Sequence, residues 1–125
     1  MSNEKEKIIS GGNNLTENEK QAVNELVEGL KNLYGDNLSR VILYGSKARG
    51  VSTEDSDIDI MIVLKDYKNW GSEFEKVAEL VYSTEEKHDY DLLISFVIKK
   101  EINYHTEKSP LLLNIAKEGV NLWTI

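Results

Sequence analysis

Two short segments of the chain combine residue types that can bind phosphate and metal ions. The first runs Gly45-Ser46-Lys47-Ala48-Arg49-Gly50. Gly45 has no side chain, so a ligand can approach its backbone closely, and Ser46 can offer its hydroxyl and nearby amides to an anion. Lys47 and Arg49 place positive charge beside this turn in a chain that is acidic overall. The segment therefore predicts a binding site for a triphosphate.

The second segment supplies carboxylates at the spacing of a β-strand. Residues 57–64 alternate with period two, so Asp57 and Asp59 point to the same face of the predicted strand. Asp91 begins a neighbouring β-rich run at matching parity, and Asp89, which has the same parity, is the alternative third acid. Two unit charges about 4 Å apart repel by roughly 4 kcal/mol at an effective dielectric of about 20, so such a cluster needs compensation.

Mg²⁺ is the compensation that the three carboxylates favour. It takes oxygen ligands and leaves positions open for substrate phosphates. Two such ions, about 3.5–4 Å apart, can activate an attacking oxygen and stabilise the leaving one in a displacement at phosphorus. The carboxylates therefore predict a magnesium site on Asp57 and Asp59, with Asp91 or its alternative Asp89 as the third acid.

The elements that position these segments follow from capping signals and hydrophobic periodicity. A capping box from Thr16 to Glu19, followed by apolar residues at helical spacing, predicts a helix over about 17–34. Strands are expected at 40–44, 57–64, 91–98 and 120–125, with further helices from Trp70 to Val81, near 100–107 and from Pro110 to Glu118. This order predicts a small α/β (α+β) sheet with helices on one side.

Length, charge and cysteine content exclude several classes of protein. With 125 residues the chain is one domain, expected at 15–125 after a flexible N-terminal arm at 1–14. Its net charge of −7 disfavours stable binding to duplex nucleic acid. Cysteine is absent, which excludes disulfides and thiolate metal sites. No apolar run approaches the ~20 residues of a membrane span, so we expect a cytoplasmic protein without a membrane anchor.

The two motifs together resemble a known enzyme superfamily. Gly45-Ser46, ten residues and then Asp57-Ile58-Asp59 are similar to the signature of the DNA polymerase beta-type nucleotidyltransferases. Tyr44–Gly50 and Ser56–Asp59 resemble its minimal nucleotidyltransferase branch in particular, and Asp89–Ser95 is similar to that branch's third-acid strand. The resemblance implies a mixed β-sheet palm and transfer of a nucleoside monophosphate, usually AMP from ATP, to an acceptor hydroxyl.

The resemblance also implies a role for individual residues. Gly45 and Ser46 would hold the triphosphate of ATP, and Asp57 and Asp59 would bind two Mg²⁺. Asp91 would bind the metal nearer the acceptor and help to deprotonate it.

Minimal members of this superfamily resemble the antitoxin half of a two-gene pair whose partner is an all-helical HEPN ribonuclease toxin. The acceptor implied by that likeness is a tyrosine hydroxyl on the toxin. Two alternatives stay open at this point. One is nucleotidyl transfer to a small molecule such as an aminoglycoside, which a chain this short could accommodate only as a homo-oligomer. The other is a non-catalytic module that binds its partner by surface complementarity.

Overall fold

A four-stranded mixed sheet lies at the centre of the chain. The structure, a computed structural model, describes residues 15–50 and 57–124, and the predicted arm at 1–14 lies outside these ranges. In chain order the elements are α1 (Glu17–Tyr34), a 3-10 turn (Gly35–Asn37), β1 (Leu38–Tyr44), α2 (Ser46–Arg49), β2 (Ile58–Leu64), α3 (Trp70–Lys87), β3 (Ile94–Lys100), α4 (Glu101–Thr106), α5 (Pro110–Glu118) and β4 (Val120–Thr124). The predicted α+β class is confirmed.

The two central strands bring both predicted motifs to one end of the sheet. The strand order is β3-β2-β1-β4, with β1 antiparallel to β2 and β4, and β2 parallel to β3. Tyr44, the last residue of β1, pairs with Asp59 near the start of β2. Because the end of one antiparallel strand meets the start of its neighbour, the turn after Tyr44 lies beside the Asp57–Asp59 segment.

The side chains of β2 alternate between the two faces of the sheet, as predicted, and the core is divided into two clusters. The side of β2 that carries Ile60 and Ile62 packs against the long helices α1 and α3. Met61 and Val63 point to the other side, where α5 covers them with Leu112 and other residues. The two long helices therefore share one face of the sheet, and the short α5 packs on the opposite face. Helices thus cover both faces of the sheet, which corrects the prediction that they lie on one side, because Met61 and Val63 also need an apolar cover. No helix in the two described ranges has the length and apolar character that a bilayer crossing requires.

Local capping fixes where two helices begin. The hydroxyl of Thr16 accepts from the amide of Glu19 at 3.1 Å, and the carboxylate of Glu19 accepts from the amide of Thr16 at 2.9 Å. At the start of α5 the hydroxyl of Ser109 accepts from the amide of Leu112 at 3.2 Å, and Pro110 occupies the first helical position, where an amide proton would have no partner within the helix. Both helices therefore start at the predicted residues.

The third strand begins three residues later than predicted. Asp89 and Tyr90 have φ of 56° and 59°, so the chain turns there and does not extend until Ile94. The buried carboxylate of Glu85, in the last turns of α3, accepts from the amide of Ile94 at 2.9 Å. This contact fixes the first residue of β3, and Asp91 belongs to the turn that precedes it.

Candidate active site

A tight turn after β1 holds the first motif. Gly45 has φ +76° and ψ −159°, a region that glycine enters without the steric penalty of a Cβ. Its carbonyl accepts from the amides of Ala48 and Arg49, both at 3.1 Å, which begins the four-residue helix α2. A Cβ on Gly45 would collide with Oδ2 of Asp59. The missing side chain therefore lets the carboxylate of Asp59 lie directly against the turn.

Asp57 and Asp59 form the predicted pair of carboxylates. Asp57 is exposed just before β2, and Asp59 is half-buried as the second residue of the strand. Burial raises the pKa of Asp59, the negative charge of Asp57 raises it further, and the Arg49 guanidinium acts in the opposite direction. Burial and the charge of Asp59 also raise the pKa of the Tyr44 phenol. The pair is thus a site where negative charge is costly and a cation is favoured.

Ser95 is a neighbour of this pair that the sequence analysis did not identify. In the parallel register of β2 and β3 it lies opposite Asp59. Its hydroxyl donates to Oδ2 of Asp57 at 3.0 Å. The sequence signal for this contact was the alternation of residues 94–100. The alternation identifies the face of the sheet on which Ser95 lies, but it points to the carboxylate pair only when the start of the strand is known.

Asp91 and its alternative Asp89 do not join Asp57 and Asp59, which corrects the predicted trio of acids. Within 15–50 and 57–124, no group of three or more histidine, cysteine or acidic side chains is arranged to hold a metal ion. The physical reason is the turn at positive φ, which removes Asp91 from the strand parity on which the prediction depended. Asp91 is exposed in that turn, and Ser95 occupies the position facing the pair.

Lys47, predicted to contact the triphosphate, points into the protein instead. Its side chain is 2% exposed, and its ammonium donates to Oε2 of Glu19 at 2.8 Å. Oε1 of the same carboxylate accepts from the amide of Thr16, so Glu19 links the start of α1 to the turn after β1. Lys47 therefore supports the turn from inside. Like Ser95, Glu19 has a role at this site that the sequence analysis did not predict, because it assigned Glu19 only to helix capping.

Ser46 and Arg49 belong to the short helix that follows the Gly45 turn. Ser46 is the half-buried first residue of α2, next to the turn glycine. The Arg49 guanidinium is 44% exposed and lies 3.6 Å from the carboxylate of Glu118. Its positive charge also acts on Asp59, where it offsets part of the rise in the pKa of that carboxyl. Arg49 is thus an accessible cation beside the carboxylate pair.

The donor set of the site suits one hard divalent cation. Asp57 and Asp59 provide carboxylate oxygens, the ligand type that Mg²⁺ prefers, and the Ser95 hydroxyl donates to one of them. The raised pKa of Asp59 indicates that its ionised form lacks full compensation from the protein, which a cation would supply. The residues therefore fit Mg²⁺, although with two carboxylates rather than three.

Comparison with known proteins assigns the chain to a family. The sequence profile described as "Nucleotidyltransferase domain" matches residues 23–120. A candidate protein adenylyltransferase of Methanocaldococcus jannaschii is 31% identical over 102 residues, covering 82% of this chain and 96% of that protein. A second one from the same organism is 52% identical over 46 residues, which cover 37% of this chain and only 46% of that relative.

Solved structures share the fold at low identity. A candidate nucleotidyltransferase from Sulfolobus solfataricus superposes with a TM-score of 0.55 at 21% identity, over 94% of this chain and 86% of that one. A chain from a toxin–antitoxin crystal structure with AMP-PNP also gives 0.55, at 20% identity, over 80% of this chain and 72% of that one. The profile match and the relative that is similar over nearly its whole length show that the chain belongs to the nucleotidyltransferase domain family, as its motifs predicted.

Proposed function

We propose that this chain transfers AMP from ATP to an acceptor hydroxyl in a metal-dependent reaction. The observation that carries the proposal is the carboxylate of Asp59 lying directly against the Gly45 turn, where no side chain would fit. A triphosphate held at Gly45 and Ser46 would thereby place its α-phosphorus beside Asp57 and Asp59. The candidate protein adenylyltransferases among the relatives support adenylyl transfer.

In the proposed reaction the residues of the chain position and neutralise the reactants. The acceptor oxygen forms a bond to the α-phosphorus, the bond to pyrophosphate breaks, and the acceptor proton leaves to solvent. When bound by Asp57 and Asp59, Mg²⁺ would supply charge stabilisation for the attacking and leaving oxygens. Arg49 adds an exposed positive charge beside the same carboxylates. Positioning and charge stabilisation then account for the rate, since no covalent enzyme intermediate is required.

We propose further that the acceptor is a tyrosine hydroxyl on a helical toxin of the HEPN type, with this chain as the antitoxin. Two observations support this. The relatives are named as candidate protein adenylyltransferases, which points to a protein acceptor. The fold is also that of chains from toxin–antitoxin crystal structures, one of them named MntA-HepT, which matches with a TM-score of 0.52 at 18% identity.

The test is transfer of label from ATP labelled on its α-phosphate. The chain is incubated with Mg²⁺ and the protein encoded by the neighbouring open reading frame, and the labelled residue is located by mass spectrometry. We expect AMP on a tyrosine of that protein, and loss of labelling in Asp57→Asn/Asp59→Asn. The matched control is Asp66→Asn, because this exposed carboxylate pairs with Lys100 rather than with the site.

Three results would contradict the proposal in different ways. Equal labelling by the wild type and the Asp57→Asn/Asp59→Asn variant would remove the site assignment. Label on an aminoglycoside and not on protein would favour a small-molecule acceptor. Capture of a helical partner by both forms of the chain, without labelling by either, would favour a non-catalytic binding module.

A further inference from the structure

We propose that Ser95 takes the position of the third carboxylate, so that this chain holds its divalent cation on Asp57 and Asp59 alone. The inference rests on the proposed function, because it concerns the cation of that same site. Its basis is the contact between the Ser95 hydroxyl and Oδ2 of Asp57 at 3.0 Å, together with the position of Ser95 opposite Asp59.

Strand geometry identifies position 95 as the one that faces the pair. Residues opposite each other in neighbouring strands point to the same face of the sheet. Val97, two residues after Ser95, packs with Met61 and Val63 on the face toward which Asp57 and Asp59 alternate. Ile94 and Ile98 belong to the other core cluster. Of the described residues of β3, Ser95 is therefore the one whose side chain reaches the carboxylates.

Asp91 does not meet this condition. Two non-glycine residues at positive φ, Asp89 and Tyr90, turn the chain immediately before it, and β3 starts only at Ile94. The amide of Ile58 donates to the carbonyl of Leu93, so the last residue before β3 is already aligned with the start of β2. Asp91 lies two residues further back, exposed to solvent.

A hydroxyl in place of a carboxylate changes how the cation is held. Ser95 donates a proton to Asp57 and adds no negative charge, whereas an aspartate there would add a third anionic ligand to the site. The cation then depends more on oxygens from outside the chain. We therefore expect weak binding of the free ion and tighter retention when nucleotide phosphates complete its coordination.

The experiment measures affinity for Mn²⁺, used alone as the probe, from the electron paramagnetic resonance signal of the free ion. The full chain is compared with Ser95→Asp, Ser95→Ala and Asp91→Asn. Ser95→Asp should bind Mn²⁺ about tenfold more tightly or better, equivalent to ~1.4 kcal/mol. Ser95→Ala, which removes the hydroxyl without adding charge, should not tighten binding, and Asp91→Asn should leave it unchanged.

Several outcomes overturn the inference. One is a loss of about tenfold in Mn²⁺ affinity in Asp91→Asn. Another is a folded Ser95→Asp chain that binds no better than the wild type, including the case in which neither binds. If the metal-free Ser95→Asp variant fails to fold, the exposed Asp91→Asn variant decides alone. If the wild type binds too weakly to measure and Ser95→Asp gains binding, the inference is supported.

The inference and the proposed function can fail separately. Tighter Mn²⁺ binding by Ser95→Asp, with no acceptor labelled by any variant, would sustain the role of Ser95 and refute AMP transfer. Labelling that requires Asp57 and Asp59 and is also lost in Asp91→Asn would sustain the transfer and refute the role of Ser95.

Discussion

The buried pair of Lys47 and Glu19 gives a quantitative prediction about what holds the active-site turn. The ammonium and the carboxylate are 2.8 Å apart, with side chains 2% and 9% exposed. Removing one partner of a buried ion pair costs about 3–5 kcal/mol, because the other charge is left without compensation. For Glu19→Gln we expect about 3 kcal/mol, the lower end of that range, since the amide oxygen can still accept one hydrogen bond.

A loss of this size is large for a domain of this length. Such domains unfold with a free energy of about 5–15 kcal/mol, so the variant would lose a fifth or more of its stability. The melting temperature should fall by roughly 10 °C. The matched control is Glu28→Gln on the same helix, whose pair with Lys31 has side chains 52% and 36% exposed and should contribute about 0–1 kcal/mol.

The assay is urea unfolding followed by circular dichroism, with the free energy of unfolding extrapolated at constant m. The double variant Glu19→Gln/Lys47→Met should recover part of the loss, because it removes the uncompensated charge as well. If Glu19→Gln costs no more than Glu28→Gln, the pair is not buried in solution, and the account of Lys47 as an internal support of the turn is refuted.

Three further predictions concern the turn, the carboxylates and the start of β3. Gly45→Ala should destabilise the fold by about 1–3 kcal/mol through backbone strain. The control is Gly35→Ala, which should cost less because its added Cβ has nothing within 4 Å. Equal losses of stability in urea unfolding would contradict the close approach of Asp59 to Gly45. Asp59 has a raised pKa, so its ionisation costs stability as pH rises above the ordinary value of 3.8. Without metal, Asp59→Asn should therefore have a higher melting temperature than the wild type at neutral pH and no higher one at acidic pH. A lower melting temperature of the variant at neutral pH would contradict the raised pKa of Asp59. Glu85→Ala should lower the free energy of unfolding by about 1–3 kcal/mol, because it leaves the Ile94 amide without its acceptor. Hydrogen exchange at that amide should become faster, and unchanged exchange would contradict the contact.

The features that the sequence predicted correctly depend on local interactions. The capping box of Thr16 and Glu19 joins residues three apart, and the helix begins where it indicates. The Asp57 and Asp59 pair follows from the two-residue period of one strand, which holds wherever that strand is placed. Such short-range signals needed no knowledge of the tertiary structure.

The features that the sequence did not predict depend on distant residues or on unusual backbone angles. The partner of Lys47 lies 28 positions away on α1, and no pattern around the lysine indicates it. Asp89 and Tyr90 adopt positive φ although neither is glycine, so nothing in the alternation showed that β3 starts late. Because of that shift, the β3 side chain in contact with Asp57 is that of Ser95.

The parallel pairing of β2 and β3 has a consequence for the order of folding. The turn glycine and Asp59 are brought together by the antiparallel pairing of β1 and β2, which are joined by residues 45–57. Ser95 arrives only after the longer crossover of residues 65–93, which contains α3. Contacts that close long loops form more slowly than local ones. The two acids should therefore meet the turn early in refolding and receive their hydroxyl partner late, which makes the completed site a reporter of the last stage of folding.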